Sequence, residues 1–161
     1  MEAAKTTKRL RILYVSLRLL ALGATVSAAF VMATSHQKIY LFSAPFEAKY
    51  SHTTAFKYFL IANAVGSVYG ILRLFPPPKN FLWRLALVSD VVMTMLLTSS
   101  VSAALAIAHV GKEGNSYAGW LPICDKFHKY CDQVAGALIA AFLGVILYIL
   151  LLLYTIHTIP R

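Results

Sequence analysis

The stretch Ala135–Thr158 reads AGALIAAFLGVILYILLLLYTIHT and contains no Lys, Arg, Asp or Glu in its 24 residues. A bilayer core about 30 Å thick is crossed by about 20 mostly apolar residues rising 1.5 Å each, so this run is long enough to span it as a helix. A barrel strand would need only about ten residues in strict alternation, and no such alternation is present. In lipid the backbone N–H and C=O groups must be satisfied within the segment, which a helix does. Three further stretches of the same kind lie upstream, at Ile12–Thr34, Phe56–Phe75 and Leu85–His109. The fold expected is therefore all-α: a polytopic membrane protein built as one antiparallel bundle of four transmembrane helices. Residues 1–11 and 159–161 are its tails, 76–84 an inner loop, and 35–55 and 110–134 its outer loops.

The composition agrees. Of 161 residues, 59% are hydrophobic and 13% charged, and the mean hydropathy is +0.68. A soluble domain carries about 25% charged residues, so an ordinary soluble enzyme and a disordered polyelectrolyte are both excluded. The net charge of +9 raises nucleic acid as a partner, but the cations gather at helix ends and not on a polar fold. Lys5, Lys8, Arg9 and Arg11 precede the first run; Arg73, Lys79 and Arg84 flank the inner loop; Arg161 ends the chain. Together with Glu2 these place +7 on the side of the two termini, against +2 for the first outer loop and zero for the second. The positive side faces the cytosol, so both termini are expected there. The first run is too long for a signal core and is interrupted by Arg18, so it reads as an uncleaved membrane helix. Pro76-Pro77-Pro78 cannot continue the second helix. Gly111, Gly114, Asn115 and Pro122 argue against a continuous helix between the third and fourth.

Two ionisable residues sit well inside apolar runs, Arg18 in the first and Asp90 in the third. A charge at the bilayer centre costs about 2.5–3.5 kcal/mol even on the mildest scale, so each must face the bundle or a partner. Arg18 lies six residues past Ile12 and Asp90 five past Leu85, about 9 Å and 7–8 Å along helices running in the same direction. An intramembrane Arg18–Asp90 ion pair is the economical reading; an ion or proton pathway is the functional alternative.

Small residues recur at four-residue spacing: Ala62, Gly66 and Gly70 in the second run, Gly136, Ala140 and Gly144 in the fourth. Such faces let helix backbones approach closely in lipid. They are read as helix-packing positions, within the bundle or between copies. Cys124 and Cys131 are the two cysteines, and on an extracytoplasmic loop a disulfide is the natural pairing. On a continuous helix their Cα atoms would stand about 10 Å apart, too far to bridge. The disulfide thus requires a bend, whereas a soft metal held by Cys124, His128 and Cys131 requires a helix. No catalytic grouping, metal site or cofactor motif is legible: phosphate-cradling glycines, H-E-x-x-H and G-x-S-x-G are all missing. His36, His52, His109, His128 and His157 are scattered over loops and helix ends.

With these residues in view, the chain resembles the CASP-like proteins, group 1 type, plant relatives of the Casparian strip membrane domain proteins and distant kin of the MARVEL four-helix proteins. The resemblance runs from Arg9 to Thr158. It rests on Arg18, Asp90, Phe30-Val31-Met32-Ala33-Thr34, Tyr58-Phe59-Leu60-Ile61-Ala62-Asn63, and the last loop with Gly114-Asn115, Trp120, Ile123-Cys124, Phe127 and Cys131. It implies a multi-pass plasma-membrane protein with cytosolic ends that forms homo-oligomers and hetero-oligomers with related four-span proteins. The best-understood relatives make immobile scaffolds that exclude other proteins and position cell-wall-modifying enzymes. The intramembrane Arg and Asp carry over to Arg18 and Asp90, and the loop cysteines to Cys124 and Cys131. Residues 35–54 lack the extended signature of the strict Casparian strip members, which favours the broader group. The functional expectation is a non-enzymatic scaffold without cofactor. Its partners would be membrane lipids, related four-span proteins and apoplastic wall enzymes met through Trp120 and Phe127. A small-solute or ion transporter subunit and a MARVEL-like trafficking factor are the alternatives.

Overall fold

A computed structural model describes residues 2–41, 44–75 and 82–158. Four long helices dominate: α1 (Glu2–Thr34), α2 (Thr54–Leu72), α3 (Leu82–Glu113) and α4 (His128–Thr158). All four are long and apolar enough to cross a membrane. They form a ring in which α1 packs on α2 and α4, and α3 packs on α2 and α4. The all-α four-span expectation is borne out. Pro76-Pro77-Pro78, Lys79 and Arg161 lie outside the described residues.

The bundle turns a soluble protein's surface inside out. Leu20, Phe30, Ile61, Val68, Met95, Ile139 and Leu153 are all exposed, as lipid-facing residues are when no lipid is present. The interior is lined instead by small residues: Ala21, Ala28, Ala62, Ala104, Ala137 and Ala141 are buried. Apolar side chains gain nothing from leaving lipid for one another, so helix association rests on close packing and interhelical hydrogen bonds. Phe59, Met32, Leu97, Tyr148 and Leu151 fill the space between.

The helices depart from the apolar runs at their ends. α1, α3 and α4 continue past the hydrophobic stretches, because a helix keeps its internal hydrogen bonds beyond the lipid boundary. Gly111 does not interrupt α3, which ends where Gly114 takes a left-handed φ of 74°. There the Gly114 amide donates to the Val110 carbonyl at 2.8 Å, an αL cap that satisfies a terminal acceptor. A Cβ at Gly114 would fall 2.8 Å from the Trp120 carbonyl oxygen, so only glycine fits the cap. The second helix stops at Leu72, three residues short of the expected Phe75, and Arg73 turns out of it at φ −80°, ψ −6°.

The first outer loop is not irregular. β1 (His36–Leu41) and β2 (Ala44–Lys49) pair antiparallel, with His36 opposite Lys49 and Lys38 opposite Glu47, and a 3-10 turn at Tyr50–His52 leads into α2. The hairpin is tied to the bundle by Gln37, whose Oε1 accepts from the Tyr130 amide at 3.0 Å. The first amides of a helix have no partner within it, so a side chain 93 residues away completes the start of α4.

Candidate functional site

The charged residues of the bundle interior meet at the end that carries both chain termini. Arg18 lies on α1, Asp90 on α3, and Arg73 directly after α2. Arg18 Nη2 donates to Asp90 Oδ1 at 2.7 Å, and Arg73 Nη2 donates to Asp90 Oδ2 at 2.8 Å. The Tyr69 hydroxyl adds a third donor to Oδ1 at 2.8 Å. All three charged residues are buried, with Arg18, Asp90 and Arg73 at 1%, 2% and 7% exposure. The Arg18–Asp90 pair read from the sequence is present and is part of a larger cluster of two guanidiniums on one carboxylate. Arg73, counted as a sidedness charge flanking the inner loop, belongs to the interior.

Tyrosines surround the cluster. Arg18 Nε donates to the Tyr14 hydroxyl at 3.1 Å, and its Cζ stands 5.3 Å from the Tyr14 ring centroid and 6.0 Å from that of Tyr148. Ring faces attract a cation, more so where water is excluded. Tyr14 also meets the Tyr154 ring at 5.7 Å, and the Tyr148 hydroxyl donates to the Gly66 carbonyl at 2.7 Å. One cluster thus joins all four helices. The sequence held a signal for the missed members: Tyr14 and Arg18, like Tyr69 and Arg73, are four apart on one helix face.

The small residues divide into two groups. A Cβ on Gly66 would lie 3.1 Å from Leu97 Cδ2 of α3, and one on Gly70 would lie 3.3 Å from the Tyr148 hydroxyl of α4. One on Gly144 would lie 3.4 Å from Thr25 Cγ2 of α1. Ala62 is buried and Ala140 half-buried. These five positions face the bundle. Gly136 does not: it is exposed and a Cβ there would meet nothing within 4 Å, as at Gly23. Four-residue spacing ran correctly along α4, but the helix turns Gly136 away from its neighbours.

At the opposite end, the loop between α3 and α4 folds on a Cys124–Cys131 disulfide with a Cα–Cα distance of 5.7 Å. The segment bends at Ile123, whose carbonyl accepts from the Lys126 and Phe127 amides. That turn brings Cys124 back to the first turn of α4 and commits both sulfurs to each other, not to a metal with His128. Trp120 is exposed, as are Tyr117 and Leu121, which sequence reasoning did not single out. Phe127, expected with Trp120 at the outer surface, is half-buried and packs on the core. Between this loop and the helices lies a cavity of about 530 Å³, lined among others by Phe56, Leu105, Ile123, Tyr130, Val134 and Leu138. Its lining is largely apolar and suits a hydrocarbon group better than a reacting polar one.

A ring of four membrane-spanning helices, locked at one end by a buried charge cluster and at the other by a disulfide-closed loop, defines a multi-pass membrane protein. Comparison with known proteins gives the family. Residues 7–147 match the Casparian strip membrane protein domain. The chain is 63% identical over 155 residues to CASP-like protein 1C2 of Vitis vinifera, covering 96% of this chain and 95% of that one. It is 60% identical over 148 residues to CASP-like protein 1C3 of Populus trichocarpa (92% and 86% covered). To CASP-like protein 1C1 of Arabidopsis thaliana it is 56% identical over 155 residues (96% and 93%). The chain belongs to the CASP-like family, group 1. No solved structure matches it.

Proposed function

We propose that this protein is a non-enzymatic scaffold of the plant plasma membrane that oligomerises into membrane domains, with both termini in the cytosol. The observation that carries this reading is how the bundle uses its polar groups. Transporters place substrate sites near the bilayer midplane on broken helices. Here α1 to α4 are each continuous, and the charges gather at one end. The buried mid-bundle hydroxyls bond within the helices or across them, as where Ser67 donates to Thr25 Oγ1 at 3.0 Å. Such a bundle is stiff and presents fixed outer faces to neighbours.

Those faces suit association with other copies and with related four-span proteins. Gly23 and Gly136 are open on the outside, and small exposed residues permit close helix approach. On the loop beyond the bilayer, Tyr117, Trp120 and Leu121 are the side chains a wall-modifying protein would meet. Fluorescence recovery after photobleaching of a tagged chain in plant cells tests the proposal. Slow recovery with large native complexes is expected; free diffusion as a monomer overturns it.

A further inference from the structure

We propose that the charge cluster at the terminal end of the bundle binds an oxyanion of the phosphate class. The geometry leaves it one negative charge short. Among the described residues, Arg18 and Arg73 face the single carboxylate of Asp90, for a net charge of +1 in a buried site. The carboxylate is fully engaged by Arg18, Arg73 and Tyr69, whereas the guanidiniums are not. Arg18 Nη1 and Arg73 Nε are buried with no hydrogen-bond partner. A guanidinium carries five N–H donors in a planar fork matched to phosphate oxygens. Leaving donors and a charge uncompensated away from water is costly. The tyrosine rings near Arg18 soften that cost but bring no countercharge.

Position selects the class of anion. Arg73 follows the last residue of α2, and on the four-span reading the anions nearest that end of the bundle are the lipid phosphates of one leaflet. The phosphate group of a lipid and free phosphate present the same oxygens to it. A bound anion would make the cluster neutral and give the orphaned donors acceptors. The inference stands apart from the scaffold proposal and does not depend on oligomerisation.

The test uses the full chain in dodecyl maltoside micelles, with the thermal midpoint as readout. Sodium phosphate is titrated against sodium chloride at equal ionic strength, and dioctanoyl phosphatidic acid against dioctanoylglycerol, which has the same chains and no phosphate. A ligand that binds the folded state raises the midpoint with the logarithm of its concentration. A rise with phosphatidic acid at concentrations where inorganic phosphate is inert identifies a lipid headgroup; rises over one range identify a general phosphate site. Arg73→Gln leaves the Arg18–Asp90 pair and should abolish the response. If that variant does not fold, Arg73→Lys, which keeps the charge but loses the planar fork, should weaken it. No rise with either phosphate-bearing probe overturns the proposal. So does an equal rise with dioctanoylglycerol or chloride, or an undiminished response in the Arg73 variant that folds.

Discussion

Asp90→Asn removes the carboxylate on which Arg18 and Arg73 converge and changes little else in shape. Arg18 is the residue left stranded. It is 1% exposed inside the bundle, with the Tyr14 and Tyr148 rings against its guanidinium. Arg73 differs, because it follows the end of α2 and can extend toward the headgroups as long cationic side chains do. The expected loss is therefore that of breaking one buried pair, about 3–5 kcal/mol, or about two to four orders of magnitude in the folding equilibrium. Reversible unfolding in mixed dodecyl maltoside and dodecyl sulfate micelles, followed by circular dichroism, measures it. A companion variant separates a stranded charge from a lost bond. Arg18→Met with Asp90→Leu removes both buried partners and frees Arg73 to extend, so it should cost less than Asp90→Asn alone, about 1–2 kcal/mol. If Asp90→Asn unfolds within about 1 kcal/mol of the parent, or the double variant is the worse of the two, the cluster does not hold the bundle as argued.

Four further substitutions address other links. Gly66→Val should lose about 1–3 kcal/mol in the same assay by driving a side chain into Leu97, whereas Gly136→Ala should be neutral or stabilising by up to about 1 kcal/mol, since glycine is a poor helix former. Cys124→Ser should cost about 2.5 kcal/mol by the chain-entropy estimate for so short a loop, and hydrogen exchange should quicken at the amides of Tyr130 and Cys131. Gln37→Ala should cost about 1 kcal/mol through the lost acceptor at the start of α4, and exchange at the Tyr130 amide should report it while the middle of α4 stays protected.

The number of long apolar helices was legible because lipid imposes one requirement, internal satisfaction of the backbone, and only long apolar runs meet it. Arg18 and Asp90 were legible for the same reason, as charges where charges are expensive. The outer hairpin was not, since 35–55 reads as a polar segment with Pro45, and pairing of His36–Leu41 with Ala44–Lys49 depends on its register. Phe127 was misread because a loop aromatic faces outward or inward according to the bend made by the disulfide.

By itself, then, the sequence determined a four-span helical membrane protein of the CASP-like family, with small residues at helical spacing and two costly charges at matching depth. Only the tertiary structure decided that Arg73 turns inward, that Gly66, Gly70 and Gly144 are spent inside the bundle while Gly136 looks out, and that Cys124 reaches Cys131. Spacing along a chain determines which residues share a helix face, but the rotation of each helix and the path of each connection decide what that face meets. Arg73 shows the difference most clearly: its place at the end of an apolar run suits either a headgroup or a neighbouring carboxylate, and packing of α2 against α3 brings Asp90 within 2.8 Å.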